Sequence, residues 1–164
     1  MRKLLFATSF IFLTTLCLPF LGLEIEHFPP SSPYFESPPP EYYVSVRADV
    51  LIFTLMYPIG DVDPISGNFH LAPTFDINSL LLGLGIKLPL DPIFIRGAAY
   101  VNYGKMMEFP STGTLHVFGK LGGGFKVLFL CLEGGIRWYY ILEPSTTNFF
   151  LSPEEWYVSL GLCF

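Results

Sequence analysis

The stretch Leu121-Gly122-Gly123-Gly124-Phe125-Lys126-Val127-Leu128-Phe129-Leu130-Cys131-Leu132-Glu133-Gly134-Gly135-Ile136-Arg137-Trp138 decides the fold. Before Leu128, the apolar Leu121, Phe125 and Val127 alternate with Gly122, Gly124 and Lys126. After Phe129, Leu130, Leu132, Ile136 and Trp138 alternate with Cys131, Glu133, Gly135 and Arg137. Side chains of a strand point to opposite faces in turn, so this is a hairpin with one uncharged, greasy face. The opposite face sets glycines beside isolated long charges. A soluble β-sandwich, the main alternative, would fill its solvent face with Thr, Ser, Lys and Glu. Small residues beside Arg and Lys suit the filled interior of a narrow barrel.

The same parity extends along the chain. Strands are predicted at about 42–57, 79–89, 93–103, 114–127, 130–142 and 155–164, each with at least the ~9–11 residues that a tilted strand needs to cross a bilayer. Val44, Val46, Ala48 and Val50 oppose Ser45, Arg47 and Asp49. Leu82, Leu84, Ile86 and Leu88 oppose Gly83, Gly85 and Lys87, and Ile93 and Ile95 oppose Arg96 and Ala98. His116 and Lys120 share the parity of Lys126, and Glu155 and Tyr157 oppose Trp156 and Val158. Beyond position 23, every basic residue except Lys105 falls on the polar parity. Turning one of them to lipid costs ~2–4 kcal/mol at the midplane, so the register is strongly specified. Gly85-Ile86-Lys87-Leu88 before a turn and Arg96 after it echo Gly124-Phe125-Lys126-Val127 and Arg137, which supports the hairpin boundaries. Long connections (58–78, 104–113, 143–154) alternate with tight ones (90–92, 128–129), so the long loops collect at one end.

Composition agrees. The chain of 164 residues is 51% hydrophobic and only 14% charged, too greasy for disorder. Its 9 Lys+Arg against 14 Asp+Glu exclude a nucleic-acid partner. Met1-Arg2-Lys3 followed by the apolar run from Leu4 to Leu13 predicts an export signal over 1–22, with cleavage after Cys17 or Gly22. An uncleaved anchor from Leu4 to Leu23 and lipidation at Cys17 are the alternatives, although Leu16 is bulky where lipidation wants a small residue. Residues 23–41 are rich in proline and read as an extended N-terminal tail, leaving 42–164 as the barrel. No later stretch offers the ~18 apolar residues of a spanning helix.

The chain ends Trp156-Tyr157-Val158-Ser159-Leu160-Gly161-Leu162-Cys163-Phe164. A terminal Phe with apolar residues at every second position before it resembles the C-terminal signal of small Gram-negative outer-membrane β-barrels, the OmpA-, OmpX- and OmpW-like size class. The resemblance implies export through the periplasm to the bacterial outer membrane. It also implies recognition of Trp156, Val158, Leu160, Leu162 and Phe164 by the barrel-assembly machinery, with outer-membrane lipid and lipopolysaccharide as surroundings. Those barrels have eight strands. The expectation here is all-β, an antiparallel meander with six spanning strands, or eight if 24–41 or 58–78 hides a further hairpin.

Three chemistries follow. Cys131 and Cys163 share the inward parity and come out opposite each other if the last hairpin is centred near Thr147, which predicts a disulfide in an oxidising compartment. The inward set Arg47, Asp49, Lys87, Arg96, Lys120, Lys126, Glu133, Arg137 and Glu155 has six bases against three acids. Such groups either pair and plug the interior or, left in excess, favour anions in a small pore. His70 lies in a loop with Asp61, Asp63, Ser66 and Asp76, which invites a lipid A acyltransferase or cation-bridging reading without any fixed spacing behind it. A structural or interaction barrel with a plugged lumen, no catalysis, no cofactor and no metal is the leading expectation. The oligomeric state is not encoded in these patterns.

Overall fold

The computed structural model describes residues 19–29, 40–72, 74–143 and 147–164. Residues 1–18 of the leader predicted over 1–22 lie outside them. The chain is all-β around one closed antiparallel barrel. Its strands are β1 (Phe20–His27), β2 (Tyr42–Val50), β3 (Phe53–Val62), β4 (Phe69–Leu71), β5 (Leu81–Leu90), β6 (Ile93–Asn102), β7 (Leu115–Val127), β8 (Leu130–Leu142) and β9 (Thr147–Cys163). Eight form the wall as a meander closed by β1 against β9, and the short β4 pairs with β3 alone above it.

Two corrections turn six strands into eight. The predicted strand 42–57 is a hairpin, β2 and β3, turned at Leu51-Ile52 with Leu51 at φ 58. Leu128 takes the same left-handed conformation (φ 55) in the turn between β7 and β8. The two-residue turn reverses the parity, so Thr54 and Met56 point inward where an unbroken strand would turn them out. The second addition is β1, which runs across the expected boundary between leader and tail. Phe20, Glu24 and Glu26 face in, while Leu21 (52% exposed) and Leu23 (51%) face out. The proline-rich segment therefore joins β1 to β2, where Phe28 N–H donates to the Glu41 carbonyl at 2.9 Å. It is a loop rather than a tail, and residues 30–39 lie outside the described set.

Following ladder partners round the wall from Leu90 through Ile93, Phe125, Leu132, Leu160, Leu23 and Val46 leads to Tyr57. The β3–β5 register puts Tyr57 level with Leu80, ten residues along β5 from the start. Eight strands with that stagger tilt by roughly 40° and enclose a radius of about 8 Å, which side chains fill. The connections at residues 28–41, 63–80, 103–114 and 143–146 share one end, and the turns at 51–52, 91–92 and 128–129 share the other. A helix, α1 (Tyr103–Thr112), forms in the segment read as loop. Asn102 Oδ1 accepts from Lys105 N–H at 3.0 Å and Gly113 (φ 67) ends it, the usual cap chemistry. Among the described residues, no helix is long and apolar enough to cross a membrane.

Outside, the wall is apolar all round, with Leu21, Leu55, Ile86, Ile95, Leu121, Leu132 and Leu160 exposed on seven of the eight staves. Trp138 lies flat over its ladder partner Gly119, where a Cβ would come 1.8 Å from the indole.

Candidate functional site: a salt-bridged lumen

The inward parity of all eight staves converges on one charged interior. Arg47 on β2 sits at its centre. Its guanidinium donates to Glu24 on β1 at 2.6 Å and to Glu133 on β8 at 2.7 Å, with Asp49 3.5 Å from Nε. Arg96 on β6 reaches Asp49 at 3.2 Å, the Tyr100 hydroxyl at 2.8 Å and Glu133 at 3.5 Å. Tyr157 donates its hydroxyl proton to Glu133 at 2.8 Å. One layer nearer the loops, Lys120 on β7 bonds Glu24 and, at 2.7 Å, Glu26. Arg137 meets the same Glu26 oxygen at 2.6 Å and Glu155 at 3.8 Å, and Tyr139 donates to Glu155. The glycines of the polar parity make this possible. A Cβ at Gly122 would come 2.4 Å from the Tyr157 hydroxyl, so only a bare backbone leaves room for that ring.

The short-turn end is closed by a smaller layer. Cys131 and Cys163 are joined in a disulfide and pack with Phe20 and Phe94. Lys87 rests its ammonium 4.4 Å from the Phe94 ring centre and 3.9 Å from the Cys163 sulfur. The two cysteines are not directly opposite: Cys131 faces Gly161, and Cys163 is the next inward residue along. Ile136 pairs with Trp156 but Arg137 with Ser152, so β9 takes up extra residues there and a hairpin count centred on Thr147 misses the register.

Of the residues picked from sequence, Arg47, Asp49, Lys87, Arg96, Lys120, Glu133, Arg137 and Glu155 are buried together, and Lys126 stays half-exposed near the turns. Trp156, Val158, Leu160, Leu162 and Phe164 line the outside of β9 and its end, all exposed. Trp156 stacks on His27 with centroids 5.3 Å apart. Glu24 and Glu26 were missed, because the alternation Leu21-Gly22-Leu23-Glu24-Ile25-Glu26 that would have found them runs on from the leader's apolar run. Their presence changes the electrostatics. The buried charges are five acids (Glu24, Glu26, Asp49, Glu133, Glu155) and five bases (Arg47, Lys87, Arg96, Lys120, Arg137), so the expected positive excess is absent among the described residues.

The loop residues do not assemble a catalytic set. His70 Nδ1 lies 3.1 Å from Asp61 across the β3–β4 ladder, whereas the Ser66 hydroxyl donates to Asp63 at 2.7 Å. Asp63 also accepts from Ile65 N–H at 2.9 Å, and these bonds, led by that from Ser66, hold its carboxyl below the ordinary aspartate value. Each carboxylate is thus engaged locally. Among the described residues, no group of three His, Cys, Asp or Glu is placed to hold a metal ion.

No family model matches this chain, and no curated protein or solved structure matches it.

Proposed function

We propose that this chain is a small outer-membrane β-barrel protein of a Gram-negative envelope, exported through the periplasm, with a structural or interaction role and a lumen closed by salt bridges. The observation that carries the reading is the inversion of the wall: leucine and isoleucine exposed outside, arginine and glutamate buried inside. In water that arrangement would leave a continuous apolar belt unsolvated, whereas in a bilayer it satisfies both surfaces. A closed ladder also leaves few backbone groups unpaired in hydrocarbon. The partners this implies are outer-membrane lipid, lipopolysaccharide and the assembly machinery that takes up the β9 face.

The anion-preferring pore loses its motive, since the buried acids and bases balance and the guanidinium of Arg47 bridges the lumen between Glu24 on β1 and Glu133 on β8. The proposal assigns no catalytic role. It is tested by extracting the outer-membrane fraction in detergent and comparing boiled with unboiled samples. A folded band of different mobility is expected, with silence in planar bilayers. Release into the soluble periplasmic fraction overturns the membrane reading, and reproducible conductance steps overturn the plug.

A further inference from the structure

The lumen is closed below by the disulfide layer and across its middle by the ion pairs, but at the loop end it opens into a cavity of about 210 Å³. That exceeds the ~150 Å³ known to accept a benzene ring, and so suits one six-membered ring with substituents. The cavity has an apolar corner, where Phe28 and Tyr43 meet edge to face at 5.6 Å, and a polar floor, the Glu26–Arg137 pair. Ser45, 1% exposed, lines it beside Glu26.

We propose that this mouth is a binding site for a single neutral, hydroxyl-bearing six-membered ring, the size and chemistry of one pyranose unit. Charge decides against ionic ligands. Glu26 is held by Arg137 at 2.6 Å and Lys120 at 2.7 Å, and the buried acids and bases balance as a set, so an ion entering here would be uncompensated. Hydroxyls instead add bonds to the half-buried Asn102 and Ser79 on the cavity wall while the ion pairs stay made. The ring's C–H face packs on Phe28 and Tyr43. The site needs the barrel but no particular membrane around it.

The test is saturation-transfer NMR on the refolded full-length chain in amine-oxide micelles, a detergent free of sugar. The probes are the methyl glucoside, galactoside and mannoside, with glucuronate and glycine as charged and zwitterionic comparators. Transfer to at least one methyl pyranoside is expected, with contacts to aromatic protons of Phe28 and Tyr43, and none to the comparators. Filling the cavity from its wall by Ser45→Ile, or from its rim by Ser79→Tyr, should cut the signal roughly fivefold or more in each variant that keeps its heat-modifiable mobility. No transfer to any pyranoside, equal transfer to the comparators, or a signal unchanged in a folded filled variant overturns the site. Absence of the Phe28 and Tyr43 contacts in the unmodified protein overturns it without any variant.

Discussion

β7 and β8 face each other along their full thirteen residues, from Leu115 opposite Leu142 to Val127 opposite Leu130. β3 meets β5 only from Phe53 opposite Leu84 to Met56 opposite Leu81, with one further bond from Gly85 N–H to the Ile52 carbonyl at 2.7 Å. Both are neighbours in one barrel, yet they are held differently. The long ladder is a backbone structure. The short seam is braced from inside, because Arg96 on β6 reaches past β5 to Asp49 and to Thr54 at 3.2 Å, and Thr54 donates to Asp49 at 2.6 Å. Above it, Tyr57 stacks on Phe75 at 4.7 Å and accepts from Asp76 N–H at 2.8 Å. The lumen charges therefore act as a closure for the part of the wall that pairs least.

That comparison breaks most visibly at Arg47. Arg47→Met leaves Glu24 and Glu133 buried without their shared cation and should cost about 3–5 kcal/mol, read from urea unfolding in detergent. Adding Glu133→Gln should recover part of the loss, and strict additivity of the two would deny the coupling. Next, replacing Cys131 and Cys163 by Ser opens a loop of sequence separation 32 and should cost about 3–4 kcal/mol on loop entropy. An unchanged midpoint under reducing conditions would show that the β8–β9 ladder needs no pin. Leu160→Lys on the outer face should cost about 2–4 kcal/mol if that face meets lipid. In water the same exposed site would tolerate it within about 0.5 kcal/mol, so the magnitude identifies the solvent.

Arg96→Met should cost about 2 kcal/mol and act locally. Hydrogen exchange is expected to rise at Phe53–Met56 while Leu115–Val127 stays protected, and equal acceleration in both would erase the distinction drawn between seam and ladder. The smallest effect is at Asp63, in the loop above the seam. Its lowered pKa means that the turn's stability is complete above the ordinary aspartate range and is lost as pH falls through the depressed value. Carboxyl NMR should place the titration below the ordinary aspartate value, and Ser66→Ala should move it upward.

Much of this was legible in residue order, for a simple reason: a barrel with a greasy outside and charged inside writes its faces as a period of two. β5 to β8 and β9 from Glu155 onward could be read because their inward charges are isolated among apolar neighbours, whereas 147–154, expected to be loop, belong to β9 as well. β1 could not, since Phe20 to Leu23 extend an apolar run that reads as an export signal. The β2–β3 turn was hidden because Leu51 and Ile52 carry none of the Gly, Asn or Pro that mark turns, and Leu51 takes its left-handed φ without them. The charge balance failed as a consequence. Without β1 the lumen loses Glu24 and Glu26, and a neutral interior reads as a basic one. The extra residues of β9 near Arg137 shift the register in a way that no alternation reports. The open mouth lined by Ser45 depends on where β3 and β5 part, which is a property of the closed wall and of no single segment.

The pairing of β1 with β9 has a consequence for how the chain reaches this state. The two strands that complete the circle are the most distant in the sequence, with Phe20 opposite Cys163. Without the pairing of β1 with β9 the wall is an open sheet with two unsatisfied edges. Closure therefore rests on a contact between residues at opposite ends of the sequence, and the two edges stay exposed until it is made.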